Sequence, residues 1–286
     1  MKRLVCIVST LYVAALTFSA PAVAADDVPT YHDQKMTFDV FAGGVHAVKA
    51  NMEMDFSKEG RYSISFGAET RGLLGSLVPW AGTFASKGWA MRDGRRIPEM
   101  HESTATWQGE HEIKTYRYTK KGGFQDLVTT FKGKKPKTTI PDVELTKGTT
   151  DALTATILVM EKVSDGGNCE GTSEVFDGKR RFNLIYRHQQ VVMLKKTRYN
   201  AYEGPAIECT VEVEPISGKW YKKPRGWLSI QEQGRERGTM PTVWLAQVVP
   251  NAVVVPVRVR VKTAYGTLFM HMKSYESGDT TLKSEK

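Results

Sequence analysis

The chain has few cysteines and lacks the sequence motifs of the common enzyme classes. Its three cysteines include no Cys-x-x-Cys pair, the spacing that thiol–disulfide redox enzymes use. The Gly-x-Ser-x-Gly, His-Glu-x-x-His, Walker and Rossmann glycine patterns are also missing. We therefore expect a protein that is not an enzyme and needs no cofactor. A hydrolase whose site one sequence does not reveal is kept as an alternative.

Long apolar runs are missing except at the N-terminus. Lys2 and Arg3 precede an apolar segment, residues 4–18. Ala22 and Ala24 then occupy the −3 and −1 positions of a signal-peptidase site. A retained anchor helix is the alternative, but a spanning helix needs about 20 apolar residues. We expect residues 1–24 to be a signal peptide and the mature chain to be periplasmic, with no transmembrane span.

Cleavage would leave two cysteines in the mature chain. Cys6 lies in the signal peptide, whereas Cys169 and Cys209 remain. An exported protein with two cysteines usually joins them, so we predict a Cys169–Cys209 disulfide. The disulfide would close a loop of 41 residues, counting both cysteines. Closing a loop of that length stabilises the folded chain by about 4 kcal/mol in the chain-entropy model.

The charge of the chain is positive. The formal net charge is +9 and falls to +7 without the two basic residues of the signal peptide. A basic exported protein is attracted to anionic lipids, phosphates and cell-wall polymers, while nucleic acid is not an expected partner. The alternative is that the charge only aids solubility. The candidate anion contacts are Lys134 and Lys135 in a basic loop, Arg235 and Arg237 in a polar segment, and Arg258 and Arg260 in a strand.

Most of the mature chain alternates apolar and polar residues with a period of two. Met36, Phe38 and Val40 form one such stripe, and Val255, Val257, Val259 and Val261 form another. This period is typical of half-buried antiparallel strands. We predict a single domain over residues 25–276 that is mainly β, an antiparallel and strongly curved sheet or open β-barrel. The polar residues 277–286 are predicted to be a flexible tail.

One segment, about residues 150–163, has the features of a helix. Asp151 is placed to cap its N-terminus, and Gly166 and Gly167 follow its end. Its side chains are small or apolar on most sides, which favours burial. We expect this helix to pack inside the curved sheet or at its mouth.

Three further interpretations concern charged and polar side chains. Glu212 and Glu214 are predicted to pair with Arg258 and Arg260 across neighbouring strands. Arg235 and Arg237, between Ser229 and Trp244, are interpreted as arginines on a rigid loop that could hold a carboxylate or phosphate, with bonds to each other and to the neighbouring backbone as the alternative. His101 and His111 are interpreted as exposed strand residues, with a metal site together with Glu102 and Glu110 as the alternative.

Several short segments resemble a family of Gram-negative exported proteins, the domain of unknown function DUF3108. They are Tyr202-Glu-Gly-Pro-Ala-Ile-Glu-Cys-Thr-Val, Gly72-Leu-Leu, Asp151-Ala-Leu and the late basic valine-rich strand that ends at Tyr265-Gly. The resemblance covers about residues 31–275. It implies an antiparallel, curved sheet with little helix, and no known activity or catalytic residues. Related exported barrels are thought to bind apolar or lipid-like ligands or to support envelope integrity.

These observations favour a non-catalytic envelope protein that binds an apolar or anionic component such as a lipid, lipoprotein or glycolipid. The alternative is a factor that assembles outer-membrane or cell-wall machinery through protein contacts. A roomy apolar cavity would favour the binding protein, and a filled interior with an exposed apolar patch would favour the assembly factor. A cleft that unites His101, Glu110 and His111 would favour the hydrolase.

Overall fold

The computed structural model describes residues 31–107, 109–223, 227–263 and 266–285. The predicted signal peptide lies outside these residues, so its cleavage stays a prediction. The strands are β1 (Gln34–Ala42), β2 (Val45–Asp55), β3 (Arg61–Thr70), β4 (Trp80–Ala90), β5 (Arg96–Trp107), β6 (Glu110–Tyr118), β7 (Phe124–Phe131), β8 (Lys137–Thr139), β9 (Gly171–Phe176), β10 (Arg180–Leu194), β11 (Gly204–Gly218), β12 (Thr242–Ala246), β13 (Val255–Thr263), β14 (Gly266–Ser277) and β15 (Thr280–Lys283). The helices are α1 (Gly72–Leu77), α2 (Val143–Thr146), α3 (Ala152–Ser164) and α4 (Trp227–Glu236). No helix within the described ranges has the length and apolarity to cross a membrane.

The strands form one antiparallel sheet, as the alternating pattern predicted. Their order is β8-β7-β6-β5-β4-β3-β2-β1-β14-β13-β12-β11-β10-β9, and β15 pairs with β14. The sheet is not closed, because β8 and β9 are its two ends. Helix α3 contacts β3, β4 and β5 as well as β9 and β10, which are far apart in this order. The sheet therefore curls around the helix, and the predicted open, barrel-like architecture is confirmed.

Side chains from the predicted apolar stripes fill the space inside the curved sheet. Phe38 and Ile64 are fully buried, and so are Ile157 and Met160 of α3. All four belong to one continuous core. The helix therefore lies inside the sheet and packs its interior with side chains.

Asp151 holds the N-terminus of α3 in place, as its capping position predicted. One carboxylate oxygen accepts hydrogen bonds from the backbone N–H groups of Leu153 and Thr154 at 3.0 and 2.9 Å. The same oxygen accepts a hydrogen bond of 2.6 Å from the Ser86 hydroxyl on β4. This cap therefore also fixes the helix to the sheet.

The predicted disulfide is confirmed and joins two buried positions. Cys169 and Cys209 are bonded, with their Cα atoms 6.4 Å apart. Both residues are fully buried. Cys169 lies two residues before β9 and Cys209 lies in β11, so the bond ties the end of the sheet to its interior strands.

Two expectations about chain continuity were wrong. The segments 182–186 and 191–199, read from the sequence as separate strands, lie largely on one strand, β10, which ends at Leu194. The predicted flexible tail contains β15, which pairs with β14 from Ser274↔Lys283 to Ser277↔Thr280. Strand β13 pairs with β14 only as far as His271, so the end of β14 has a free edge that β15 covers.

Two expectations about charged segments were also wrong. Strand β12 lies between β11 and β13, so Glu212 and Glu214 are not the neighbours of Arg258 and Arg260. Instead, Glu208 is the β11 carboxylate nearest to Arg260, at 3.8 Å. The segment predicted as a rigid loop is mainly helix α4, which contacts β11 and β13.

Candidate functional site

A group of cationic and aromatic side chains lies on the outer face of β12, β13 and β14. Val255 and Val257 of β13 are fully buried, so the alternating Arg258 and Arg260 face away from the core. The strand register places Trp244 beside Arg258, Phe269 beside Arg260 and His271 beside Arg258. We call Trp244, Arg258, Arg260, Phe269 and His271 the arginine–aromatic cluster.

Aromatic rings enclose the Arg258 guanidinium on two sides. Its central carbon lies 4.8 Å from the centre of the Trp244 ring and 5.0 Å from that of Phe269. Arg260 also lies over Trp244, at 5.3 Å. Such cation–π contacts hold the guanidinium groups in fixed orientations and limit their contact with water.

Three side-chain nitrogen atoms of the cluster lack a hydrogen-bond partner within the part of the chain that the structure describes. The Nε atoms of Arg258 and Arg260 and the Nδ1 atom of His271 are buried and form no hydrogen bond. Arg260 uses one terminal nitrogen to donate a hydrogen bond of 3.1 Å to the Thr242 hydroxyl. Buried donors of this kind need an acceptor, which water or a bound anion supplies.

The two arginines of the cluster lie close to each other and to His271, and Glu208, 3.8 Å from Arg260, partly balances their charge. Burial and the neighbouring Arg260 lower the pKa of Arg258, while Glu208 acts in the opposite direction. Burial and the nearby Arg258 lower the pKa of His271 to about 4. His271 is therefore neutral at neutral pH, and an anion placed here would favour its protonated form.

Aromatic residues extend this face towards β1. The Phe41 ring lies 4.9 Å from Tyr199 and 6.4 Å from His271, and the Arg198 guanidinium lies 4.7 Å from the Tyr199 ring. Asp39 lies beside His271 in the register of β1 and β14 and is 3.1 Å from His46. This face therefore offers two planar stacking surfaces around its cationic groups.

The six candidate anion contacts fall in three separate places. Arg258 and Arg260 meet in the cluster. Arg235 on α4 is paired with Glu212, and Arg237 follows the end of α4 and is exposed. Lys134 and Lys135 are exposed in the connection between β7 and β8, where the Lys134 amine lies 5.6 Å from the Phe131 ring. The prediction that arginines and lysines contact an anion remains untested.

Sequence analysis did not select Trp244, Phe269 and His271 for this site. Phe269 and His271 alternate with Met270 and Met272 on β14, which is the signal that could have indicated their side of the sheet. Trp244 carries no such signal, because every residue of β12 is buried. The missing information was the strand order, because β12, β13 and β14 had to be neighbours before these side chains met.

The two histidines that could have formed a metal site are not brought together. His101 pairs with Tyr116 and His111 pairs with Thr106, five positions along β5. This offset corresponds to about 17 Å and places the two histidines on opposite faces of the sheet. His101 is buried, so its interpretation as an exposed strand residue was wrong. It lies 2.8 Å from the Ser86 hydroxyl, and His111 lies 3.0 Å from the Thr106 hydroxyl. Among the described residues, no group of three or more His, Cys, Asp or Glu side chains is arranged to hold a metal ion.

A surface pocket of about 410 Å³ lies beside α3 and includes a buried ion pair. Glu161 on α3 lies 2.8 Å from Arg96 on β5, and both side chains are almost fully buried. Burial raises the pKa of Glu161 to about 7, although Arg96 acts against this shift. Tyr31 donates a hydrogen bond of 3.0 Å to Asp165 at the rim. A carboxyl group of this pKa can exchange protons near neutral pH, which keeps the hydrolase alternative open.

The fold and the site define a barrel-like antiparallel β protein with a filled interior and a cationic, aromatic outer face. The family model described as "Protein of unknown function (DUF3108)" matches residues 37–273, and the chain belongs to this family. No curated protein matches the chain. Among solved structures, it is similar to a beta-barrel-like protein of the domain of unknown function DUF1849 from Brucella abortus. The identity is 9%, the TM-score is 0.47, and the match covers 87% of this chain and 99% of the other.

Proposed function

We propose that the mature chain is a non-catalytic, exported binding protein that holds an anionic component of the cell envelope at the arginine–aromatic cluster. Phosphate and carboxylate groups, as carried by lipids and glycolipids, are the chemical class that such a site accepts. In this proposal the protein acts in the periplasm and supports envelope integrity. Export itself rests on the signal-peptide pattern of residues 1–24.

The observation that carries this proposal is the Arg258 guanidinium between two aromatic rings. It is enclosed by Trp244 and Phe269, and its Nε atom has no acceptor among the described residues. An anion would satisfy this donor in surroundings where charge is poorly screened, which strengthens the interaction. The filled interior supports the choice of an anionic component at this face over an apolar component inside the sheet.

Native mass spectrometry of the mature protein from its own envelope tests the proposal first. We expect a phosphate- or carboxylate-bearing molecule to accompany the wild-type protein and to be lost from the Arg258→Ala variant. Inorganic phosphate, followed through the arginine Nε–H signals in NMR, is the defined probe. Its affinity should fall at least about tenfold in Arg258→Ala, because a hydrogen bond to a charged group is lost.

Arg237→Ala is the matched control for this experiment. Arg237 is an exposed arginine outside the cluster, so its removal changes the net charge equally. Equal phosphate affinity in Arg258→Ala and Arg237→Ala would contradict the proposal, since the effect would then depend on overall charge alone.

The second candidate is an assembly factor, and the open edge of the sheet favours it. The edge strand β8 is followed by exposed apolar side chains at Ile140 and Val143. Partner proteins add strands to such edges. An Ile140→Cys variant carrying a thiol-reactive crosslinker should capture one defined envelope protein if this function is correct. Failure to capture one would count against it.

A further inference from the structure

Large apolar side chains are exposed together along one edge of the sheet. They belong to the start of β2, to α1 and to the ends of β5 and β7, and they are Val45, Leu74, Leu77, Trp107 and Phe131. We call these five residues the apolar edge. Leu77 is 69% exposed and Trp107 is 50% exposed. Single exposed apolar residues are ordinary, whereas a contiguous group marks a surface that contacts something apolar.

The strand register brings Trp107 and Phe131 to one face of the sheet. Trp80 pairs with Trp107, Trp107 pairs with Glu110, and Glu112 on the same strand pairs with Phe131. Residues 80, 107 and 131 therefore share one face, and residues 107 and 131 are about 12 Å apart by sheet geometry. On the other side, the Arg71 backbone N–H before α1 donates a hydrogen bond of 2.8 Å to Ala47 O, two residues beyond Val45.

Helix α1 is held in the position that exposes Leu74 and Leu77. The Thr70 hydroxyl donates to the carbonyl oxygens of Val78 and Trp80 at 2.9 and 3.2 Å. It also accepts a hydrogen bond of 3.0 Å from the Trp80 backbone N–H. Both ends of the β3–β4 connection that contains α1 are thus hydrogen-bonded to each other through Thr70. Leu77 is exposed on this fixed segment.

Lysines accompany the apolar edge. The connection after Phe131 contains Lys132, Lys134, Lys135 and Lys137, all exposed, and they form no ion pair with a described residue. The exposed Glu110 beside Trp107 is outnumbered by these four positive charges, and the nearby Glu112 is paired with Lys114 at 2.8 Å. Aromatic and leucine side chains flanked by lysines match the boundary between acyl chains and anionic headgroups.

We infer that the apolar edge docks the protein onto the surface of an anionic lipid bilayer. Leu77, Trp107 and Phe131 enter the boundary between headgroups and acyl chains, while the lysines of residues 132–137 contact the headgroup phosphates. This contact is separate from the arginine–aromatic cluster, which lies on other strands.

Co-sedimentation with phosphatidylcholine vesicles, with and without phosphatidylglycerol, tests this inference. The mature wild-type protein should bind the vesicles that contain phosphatidylglycerol. Lys134→Glu/Lys135→Glu should weaken binding about 25-fold or more, because each basic residue near an anionic surface contributes about fivefold. Leu77→Ser should weaken it about tenfold through lost apolar burial.

Matched controls keep the test specific. Met193→Ser removes an apolar side chain that is 71% exposed elsewhere, and Lys222→Glu/Lys223→Glu reverses two exposed lysines outside the edge. Both should bind as the wild type does. Absence of wild-type binding, or equal losses in the controls, would overturn the inference. Loss of vesicle binding in Arg258→Ala with binding kept in Leu77→Ser would also overturn it and assign the lipid contact to the cluster.

Discussion

His271 reports on occupancy of the arginine–aromatic cluster. Its pKa in the folded chain is about 4, lowered by burial and by Arg258, with Asp39 beside it on β1. A bound anion stabilises the imidazolium, so we expect inorganic phosphate to raise this pKa. The measurement is an NMR titration of the His271 ring against pH with and without phosphate.

The Arg258→Ala variant gives this titration its control. Loss of the positive neighbour should raise the pKa of His271 in the unliganded protein, and phosphate should then shift it little. If phosphate shifts the His271 pKa equally in the wild type and in Arg258→Ala, the anion does not bind through Arg258.

Glu161 makes the stability of the chain depend on pH. Its pKa is about 7 in the folded chain, mainly through burial, and 4.5 is its ordinary value. A carboxyl group whose pKa is raised on folding contributes stability below the lower value, and this contribution is lost as pH rises to the higher one. Relative to Glu161→Gln, the wild-type protein should therefore lose about 3 kcal/mol of unfolding free energy between about pH 4.5 and pH 7.

Urea unfolding of both proteins across this pH range measures the effect. Arg96 keeps its charge throughout, so the cost of leaving it unpaired in Glu161→Gln is constant with pH. The difference between the two curves thus isolates the Glu161 carboxyl group. Parallel curves for wild type and variant would show that folding does not raise the pKa of Glu161.

At the scale of elements, helix α4 supplies hydrogen bonds to β11 at a position where a neighbouring strand would ordinarily supply them. Strand β12 is much shorter than β11, and the Gln231 side chain occupies the place of a strand backbone beside Val213. Its amide accepts a hydrogen bond of 2.8 Å from the Val213 N–H and donates one of 2.7 Å to the Val213 carbonyl. Gln231→Leu should lower the unfolding free energy by about 2 kcal/mol, because both backbone groups lose their partner.

Hydrogen exchange measures this change at a single amide. The Val213 N–H should exchange much faster in Gln231→Leu, whereas the Val211 N–H, bonded to Pro241 O at 2.8 Å, should keep its protection. Unchanged protection at Val213 would show that Gln231 does not hold α4 to the sheet.

The elements that sequence analysis located correctly are those whose pattern is local. The strands predicted at residues 96–107 and 242–246 have the same bounds as β5 and β12. Helix α3 was recognised because it combines a capping Asp151 with an apolar surface. Helix α4 has no such pattern, since Gly234 and many charged residues resemble a loop. A Cβ atom at Gly234 would lie 2.8 Å from Thr239 O, so this glycine reflects a tertiary contact that the sequence does not reveal.

At the scale of the whole molecule, long-range order decided what could be predicted. The alternation of β13 indicated which side Arg258 faces, but the arginine–aromatic cluster also needs β12 and β14 on either side. The predicted pairing of Glu212 with Arg258 was wrong for the same reason, because the strand order places β12 between their strands. The face on which a side chain lies follows from the alternation along its own strand. The order of the strands depends instead on how the complete sheet packs.

The filled interior has a measurable consequence for the whole chain. Ile157 of α3 is fully buried in the core that unites both halves of the sheet. Ile157→Ala should lower the unfolding free energy by about 2–5 kcal/mol, because it removes buried methyl groups and leaves a cavity. Urea unfolding measures this loss, and Ile140→Ala, at a position 81% exposed, should show almost none.

The same variant separates a packed interior from a ligand-carrying one. An apolar cavity made by Ile157→Ala should bind xenon or benzene and regain part of the lost stability, whereas the wild-type protein, whose Ile157 side chain occupies this place in the core, should gain little from either. If the wild-type protein gains equal stability from benzene, its interior holds space for an apolar ligand. That result would favour an apolar component inside the sheet over an anionic one on its outer face.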